Sequence, residues 1–230
     1  MESIKKNLEQ IRERIEGAAL RAGRDPRSVR LVAVSKKIEL PLIEEAISCG
    51  QTLFGENYMQ EARKKISGLR AAASWHFIGH IQSKKARDAA TLFDLVHTVD
   101  RLKLAQALDR HAGQAGRVLP VLVQVNVGGE AQKEGVAPAE AEGLLVAMGE
   151  LANLRVRGLM TMPPFMDNPE EARPFFRTLR QLAEEFAARG CFDLRDGLEL
   201  SMGMSNDFEV AIEEGATLVR VGTALFGPRL

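Results

Sequence analysis

Eight short β-rich runs alternate with longer helical stretches along nearly the whole chain, and this alternation limits the fold more than any other feature. The apolar runs fall at 29–35, 52–54, 75–79, 95–99, 118–127, 154–162, 198–202 and 217–226. Helical patterns occupy most of the gaps, at 39–48, 58–69, 83–93, 101–113, 138–151, 170–189 and 207–214. Strands that alternate with helices pair in parallel through right-handed crossovers. Runs such as Val121 to Val127 are apolar on both faces or nearly so, as suits a strand covered by helices on one side and facing a lumen on the other. Eight strands close a barrel, whereas six or seven leave a doubly wound sheet. The short runs 52–54 and 198–202 are the weakest members, and the count favours an α/β fold of the (β/α)8 TIM barrel type. An additional helix precedes it: Ile4, Leu8, Ile11 and Ile15 recur at helical spacing over residues 2 to about 22, and Gly23 and Pro26 end it.

A length of 230 residues suits one such barrel, and no linker, low-complexity stretch or charge block divides it. One domain spanning 1–230 is expected. Lys plus Arg equals Asp plus Glu at 31 each, so no global field favours nucleic acid or an anionic membrane. Aromatics at 5% also argue against base-stacking platforms. Cys49 and Cys191 match no metal or redox spacing and suggest a reducing compartment. The charged N-terminus is no signal peptide, and no apolar run approaches the ~18–20 residues of a membrane helix. A cytoplasmic protein is expected.

Functional groups of such barrels sit on the loops after the strands' C-terminal ends. The first strand reads Leu31-Val-Ala-Val-Ser-Lys36-Lys37, which puts Val32, Val34 and Lys36 on one face under period-two alternation. An ammonium at the end of an apolar stripe is costly unless it reaches water, pairs or is neutralised, and desolvation is what an imine-forming lysine needs. The alternative is a strand that stops at Ser35, with both lysines solvated. The seventh strand runs into Ser201-Met-Gly-Met-Ser205-Asn-Asp207 ahead of a helical pattern. That is either an anion cradle or an ordinary N-cap and turn. In Leu218-Val-Arg220-Val-Gly222-Thr223, Arg220 interrupts an apolar strand, either facing a ligand or pairing with a neighbouring strand. Gly222 admits a ligand close to the backbone, and Thr223 adds an amide and a hydroxyl. Together these are the equipment for an aldehyde carrying a phosphate. The four histidines, 76, 80, 97 and 111, show no paired metal spacing. Neither a Walker loop, a dinucleotide fingerprint nor a Gly-x-Ser-x-Gly elbow is present.

Nearly end to end, the chain resembles the pyridoxal phosphate homeostasis protein family. The match includes Ala33-Val-Ser-Lys36, Phe54-Gly-Glu-Asn57, Trp75-His-Phe-Ile-Gly-His80-Ile-Gln-Ser83, His97-Thr-Val-Asp100 and Lys133. It continues through Gly158-Leu-Met-Thr-Met162, Ser201-Met-Gly-Met-Ser205 and Val219-Arg-Val-Gly-Thr223, the last two highly specific in combination. Lys84 departs from the asparagine the family commonly carries after Gln-Ser, which alters only the rim charge. The resemblance implies a barrel of the alanine racemase N-terminal type binding pyridoxal 5′-phosphate (PLP). It implies a Schiff base on Lys36, a phosphate cradle of Ser205, Gly222 and Thr223, and Arg220 facing the pyridine nitrogen. Asn57 then lies at the pocket wall, with Met202 and His80 as neighbours.

Two physical arguments bear on catalysis. A guanidinium does not give up its proton at ordinary pH, so Arg220 leaves the ring nitrogen unprotonated and weakens the ring as an electron sink. Racemization also needs acid–base groups on both faces of the substrate carbon. In the resembled racemases a C-terminal domain and a partner subunit supply the second group, and here the chain ends at Leu230. The expectation is a monomeric, non-catalytic PLP carrier that passes cofactor to recipient apo-enzymes. The alternatives are a small racemase or lyase using Tyr58 or His80 as second base, or a cofactor-free Schiff-base aldolase.

Overall fold

The computed structural model describes residues 3–69, 71–130 and 134–228; Lys133, part of the sequence match, lies outside them. Eight strands form among the described residues: β1 (Arg30–Val34), β2 (Leu53–Glu56), β3 (Ser74–Phe77), β4 (Leu95–Val99), β5 (Leu119–Gln124), β6 (Leu154–Met160), β7 (Glu199–Ser201) and β8 (Leu218–Val221). They pair in sequence order, all in parallel, and β8 returns to β1 to close the barrel. Around them run α1 (Ile4–Arg21), α2 (Leu40–Ser48), α3 (Met59–Gly68), α4 (Ala86–Leu92), α5 (Leu102–Gln114), α6 (Pro138–Gly149), α7 (Arg173–Ala188), α8 (Phe208–Glu213) and the single turn α9 (Thr223–Phe226). The two weak runs become the short strands β2 and β7, and the barrel closes through them. Run 217–226 departs from its reading as one strand: β8 stops at Val221, and Thr223–Phe226 winds into α9.

Period-two alternation divides the strand side chains. Leu31 and Ala33 join the large apolar layer under the helices, whereas Val32, Leu53, Leu95, Leu122, Met160 and Leu218 form a separate small cluster inside the barrel. Register then places other residues on the lumen side. Arg220 pairs with Val32, Ser201 with Leu218, and His76 with Leu95.

The extra N-terminal helix closes the seam between the chain's two ends. Its Ile4, Leu8, Ile11 and Ile15 are buried at the predicted spacing, and the Ser3 side chain caps it. It packs on α8, α9 and α2. Asn7 Nδ2 donates to Leu225 O at 2.8 Å, and Arg14 pairs with Glu209 at 2.8 Å and stacks over Phe208. No helix among the described residues is long and apolar enough to cross a membrane.

Where β6 meets β7 only glycine fits. Gly158 has φ +148°, and a Cβ there would stand 2.0 Å from Glu199 O. Gly158→Ala is therefore expected to destabilise the protein by about 3 kcal/mol or more, through both strain and a backbone clash. Urea unfolding measures this, and a loss below about 1 kcal/mol would contradict the account.

Candidate functional site

The C-terminal ends of β1, β2, β3 and β8 and the loops after β6 and β7 enclose a cavity of about 230 Å³. Lys36, Asn57, Ser205, Arg220, Gly222 and Thr223 all line it. Six of the seven residues expected at a cofactor site thus meet in one place. Met202 does not: it is wholly buried in the apolar core, because it continues β7 on the face turned toward the helices. Tyr58 and His80 do not line the cavity either. His80 instead lies with Nδ1 3.0 Å from Glu134.

Lys36 reaches the cavity by a different route from the one its alternation implies. The strand ends at Val34, and Ser35–Lys37 form a turn in which Lys36 is half-buried and Lys37 exposed. Lys37 adopts φ +60°, the left-handed region that a lysine rarely enters. A buried clamp holds this turn. Lys65 Nζ, from α3, donates to Ser35 O at 2.5 Å, to Glu56 Oε1 at 2.8 Å and to Glu61 Oε1 at 2.6 Å. Ser35 Oγ donates to the same Glu56 oxygen at 2.7 Å. Burial pushes the Glu56 carboxyl up, while Lys65 and Ser35 act against that shift. Nothing in the run Arg63-Lys64-Lys65 marks its third member as interior; only its spacing of four from Glu61 offers a signal.

On the opposite wall the segment after β7 folds back under β8. Gly203 O accepts from Arg220 N at 3.0 Å, and a Cβ at Gly203, whose φ is +88°, would meet Ala211 Cβ at 2.6 Å. Asp207 Oδ1 accepts from Met204 N at 2.6 Å, and the Gly222 amide donates to Ser205 Oγ at 3.4 Å. Asp207, which also lines the cavity, is shifted up by burial, with the Met204 amide and Arg220 opposing. At the far wall Asn57 Oδ1 is buried with no hydrogen-bond partner among the described residues, an acceptor suited to a polar ligand group. Apolar walls come from Val34, Ile78, Met162 and the largely exposed Phe165.

Arg220 forms the floor. It is 3% exposed, yet its hydrogen-bond partners among the described residues are neutral: Nη1 donates to Ser201 Oγ at 2.6 Å and Nη2 to Thr161 O at 2.9 Å. The salt bridge weighed for it from sequence does not form among the described residues. Burial draws the guanidinium down to about 10, which leaves it cationic at neutral pH. Below it Ser201 Oγ lies 2.8 Å from His97 Nδ1, and His97 Nε2 lies 2.9 Å from His76 Nδ1. His76 borders a second cavity, of about 590 Å³, at the strands' N-terminal ends. The two histidines are 21 residues apart and show no local motif, so sequence spacing does not pair them.

Burial pushes His76 down to about 3 and His97 well below the ordinary histidine value, with nearby cationic groups adding to the effect. Both are therefore neutral in the folded protein, whereas the unfolded chain protonates them near pH 6.5. Below that pH the unfolded state binds more protons, so stability is full above about 6.5 and falls as pH drops toward 3. Each histidine then contributes a slope approaching about 1.4 kcal/mol per pH unit. Urea unfolding between pH 6.5 and 5 should show this loss, and His76→Gln should flatten it. An unchanged slope in the variant would reject the assignment.

Comparisons with known proteins place the whole chain in one family. The family model for the alanine racemase N-terminal domain matches residues 1–229. A pyridoxal phosphate homeostasis protein of Pseudomonas aeruginosa is 47% identical over 231 aligned positions, covering all of this chain and 97% of its own. Another, from Aquifex aeolicus, is 44% identical over 223 residues and covers 96% of each chain. The solved structure of PipY from Synechococcus elongatus PCC7942, with PLP bound, superposes with a TM-score of 0.80 at 39% identity. It covers 94% of this chain and 100% of that one. The chain belongs to the pyridoxal phosphate homeostasis protein family, built on the barrel of the alanine racemase N-terminal domain.

Proposed function

We propose that the chain binds PLP in the 230 Å³ cavity, attached as a Schiff base through the Lys36 amine, and serves intracellular PLP homeostasis as a carrier rather than an enzyme. The observation that carries this reading is the convergence of a lysine, a buried arginine and the Ser205–Gly222–Thr223 cradle in one cavity. When bound, PLP supplies an aldehyde for the lysine and an electron-withdrawing ring. The Ser205 hydroxyl and the Gly222 and Thr223 amides hold its phosphate. Asn57 Oδ1 accepts from a ring hydroxyl, satisfying an atom without another partner among the described residues. Arg220 donates a hydrogen bond to the ring nitrogen without protonating it.

Two considerations favour a carrier. The Pseudomonas and Aquifex relatives are named for homeostasis of the cofactor, and PipY holds PLP. Arg220 weakens the ring as an electron sink, and the bases weighed from sequence, Tyr58 and His80, lie outside the cavity lining. The carrier works as a single domain, delivers PLP to apo-enzymes and resides in the cytoplasm, where the free thiols Cys49 and Cys191 are stable.

The test is an absorption spectrum after PLP addition to wild type and Lys36→Ala. A violet-region band in wild type, abolished by borohydride and missing from the variant, is the expected result. A wild type with no such band sinks the cofactor reading. Lys36-dependent exchange of deuterium at the Cα of any amino acid would sink the carrier reading.

A further inference from the structure

The hydrogen-bonded column beneath Arg220 has a single direction. Its four side chains come from four strands, β8, β7, β4 and β3, and none is more than 4% exposed. Arg220 has only donors, so it occupies a lone pair of Ser201 Oγ. A serine hydroxyl carries one hydrogen, and the acceptor in reach of it is His97 Nδ1. His97 Nδ1 is then bare and its Nε2 carries the proton, which it donates to His76 Nδ1. His76 Nε2–H remains for the lower cavity. The opposite orientation would leave the serine hydrogen buried and unmatched, at a cost of about 1–3 kcal/mol. Both histidines therefore adopt the Nε2–H form.

Direction has a consequence for the site. With the hydroxyl proton committed to His97, Ser201 presents a lone pair to the guanidinium and nothing that competes with it. Thr161 O, just beyond β6, fixes the second nitrogen at 2.9 Å. Two acceptors on two nitrogens set the plane of the guanidinium, and its remaining N–H groups are those that the cavity receives.

Resting on the cofactor reading above, we propose that Ser201, backed by His97 and His76, is a positioning residue for PLP: the column sets the plane of the Arg220 guanidinium and so the hydrogen bond offered to the ring nitrogen. The column touches no ligand itself and acts through Arg220 alone. Its loss is therefore felt by a ligand that has a ring nitrogen and not by one that lacks it.

The experiment is equilibrium dialysis of two molecules against full-length wild type, Ser201→Ala and Ser201→Thr. One molecule is PLP; the other is the analogue in which C–H replaces the ring nitrogen. Ser201→Ala should weaken PLP about tenfold and leave the analogue within about twofold. Ser201→Thr, which keeps the hydroxyl, should restore PLP binding. Equal weakening of both molecules, or no weakening of PLP, overturns the proposal, since a purely structural serine would not discriminate between them. A wild type that binds neither overturns the cofactor reading and this proposal together. A second measurement needs no variant: ¹⁵N NMR of the wild-type imidazoles should show His97 as the Nε2–H form. An Nδ1–H or doubly protonated His97 overturns the direction on which the positioning role rests.

Discussion

Parallel pairing of β8 with β1 is the contact on which the site depends. Four register pairs, from Arg30–Leu218 to Ala33–Val221, join segments nearly the whole chain apart. Lys36 lies just beyond one strand of that pair, and Gly222 and Thr223 lie just beyond the other. Without closure the lysine and the cradle would sit at opposite edges of an open sheet. Closure instead brings them to one mouth, where a ligand bearing an aldehyde at one end and an anion at the other can span them. The site belongs to the seam, not to any one βα unit.

Barrels of this class usually fill their lumen with branched apolar side chains. Here only part of the lumen follows that rule, with Val32, Leu53, Leu95, Leu122, Met160 and Leu218 packed together. The rest is polar, and its composition is selective. Arg220 is held by a hydroxyl and a carbonyl, and the rings beneath it are neutral. A carboxylate partner would have cancelled its charge at contact; Asp207 acts on it only through space. The floor therefore keeps a positive potential in a low-dielectric setting, where one charge counts for more than at the surface. An anionic ligand benefits directly. The cost of burying an arginine is offset by hydrogen bonds rather than by an ion pair.

The barrel was legible because its signal repeats. Eight apolar runs separated by helical periods constrain one another, so the three-residue β7 could be inferred from its neighbours. The residues that line the cavity were legible where a residue broke its local pattern, as Arg220 does in β8 and Gly222 does after it. Errors arose where local pattern and tertiary need diverge. Alternation carried Lys36 onto the strand, yet the chain turns at Ser35 because Lys65 and Glu61 grip that turn from α3. Met202 sits inside a specific motif but serves the core. Lys65 reads as one more charge on a helix face, and its burial follows from Glu56 on a strand nine residues earlier. His76 and His97 look like isolated polar residues until register stacks them in the lumen. Each of these depends on distances across the barrel, which periodicity along the chain does not encode.

The helix α1 leaves the ribosome before any strand of the barrel and is satisfied last. Its contacts with Leu225, Glu209 and Phe208 await residues at the far end of the chain. Until then β1 has β2 for a neighbour but no β8, and the apolar stripe of α1 lacks much of its cover. The nascent chain thus carries an unpaired strand edge and an exposed amphipathic helix until β8 has been made. Barrel closure, ligand site and burial of α1 are completed in one late event. A ribosome that stalls before β8 emerges would release a sticky, open sheet with its lysine in place and nothing to receive a phosphate.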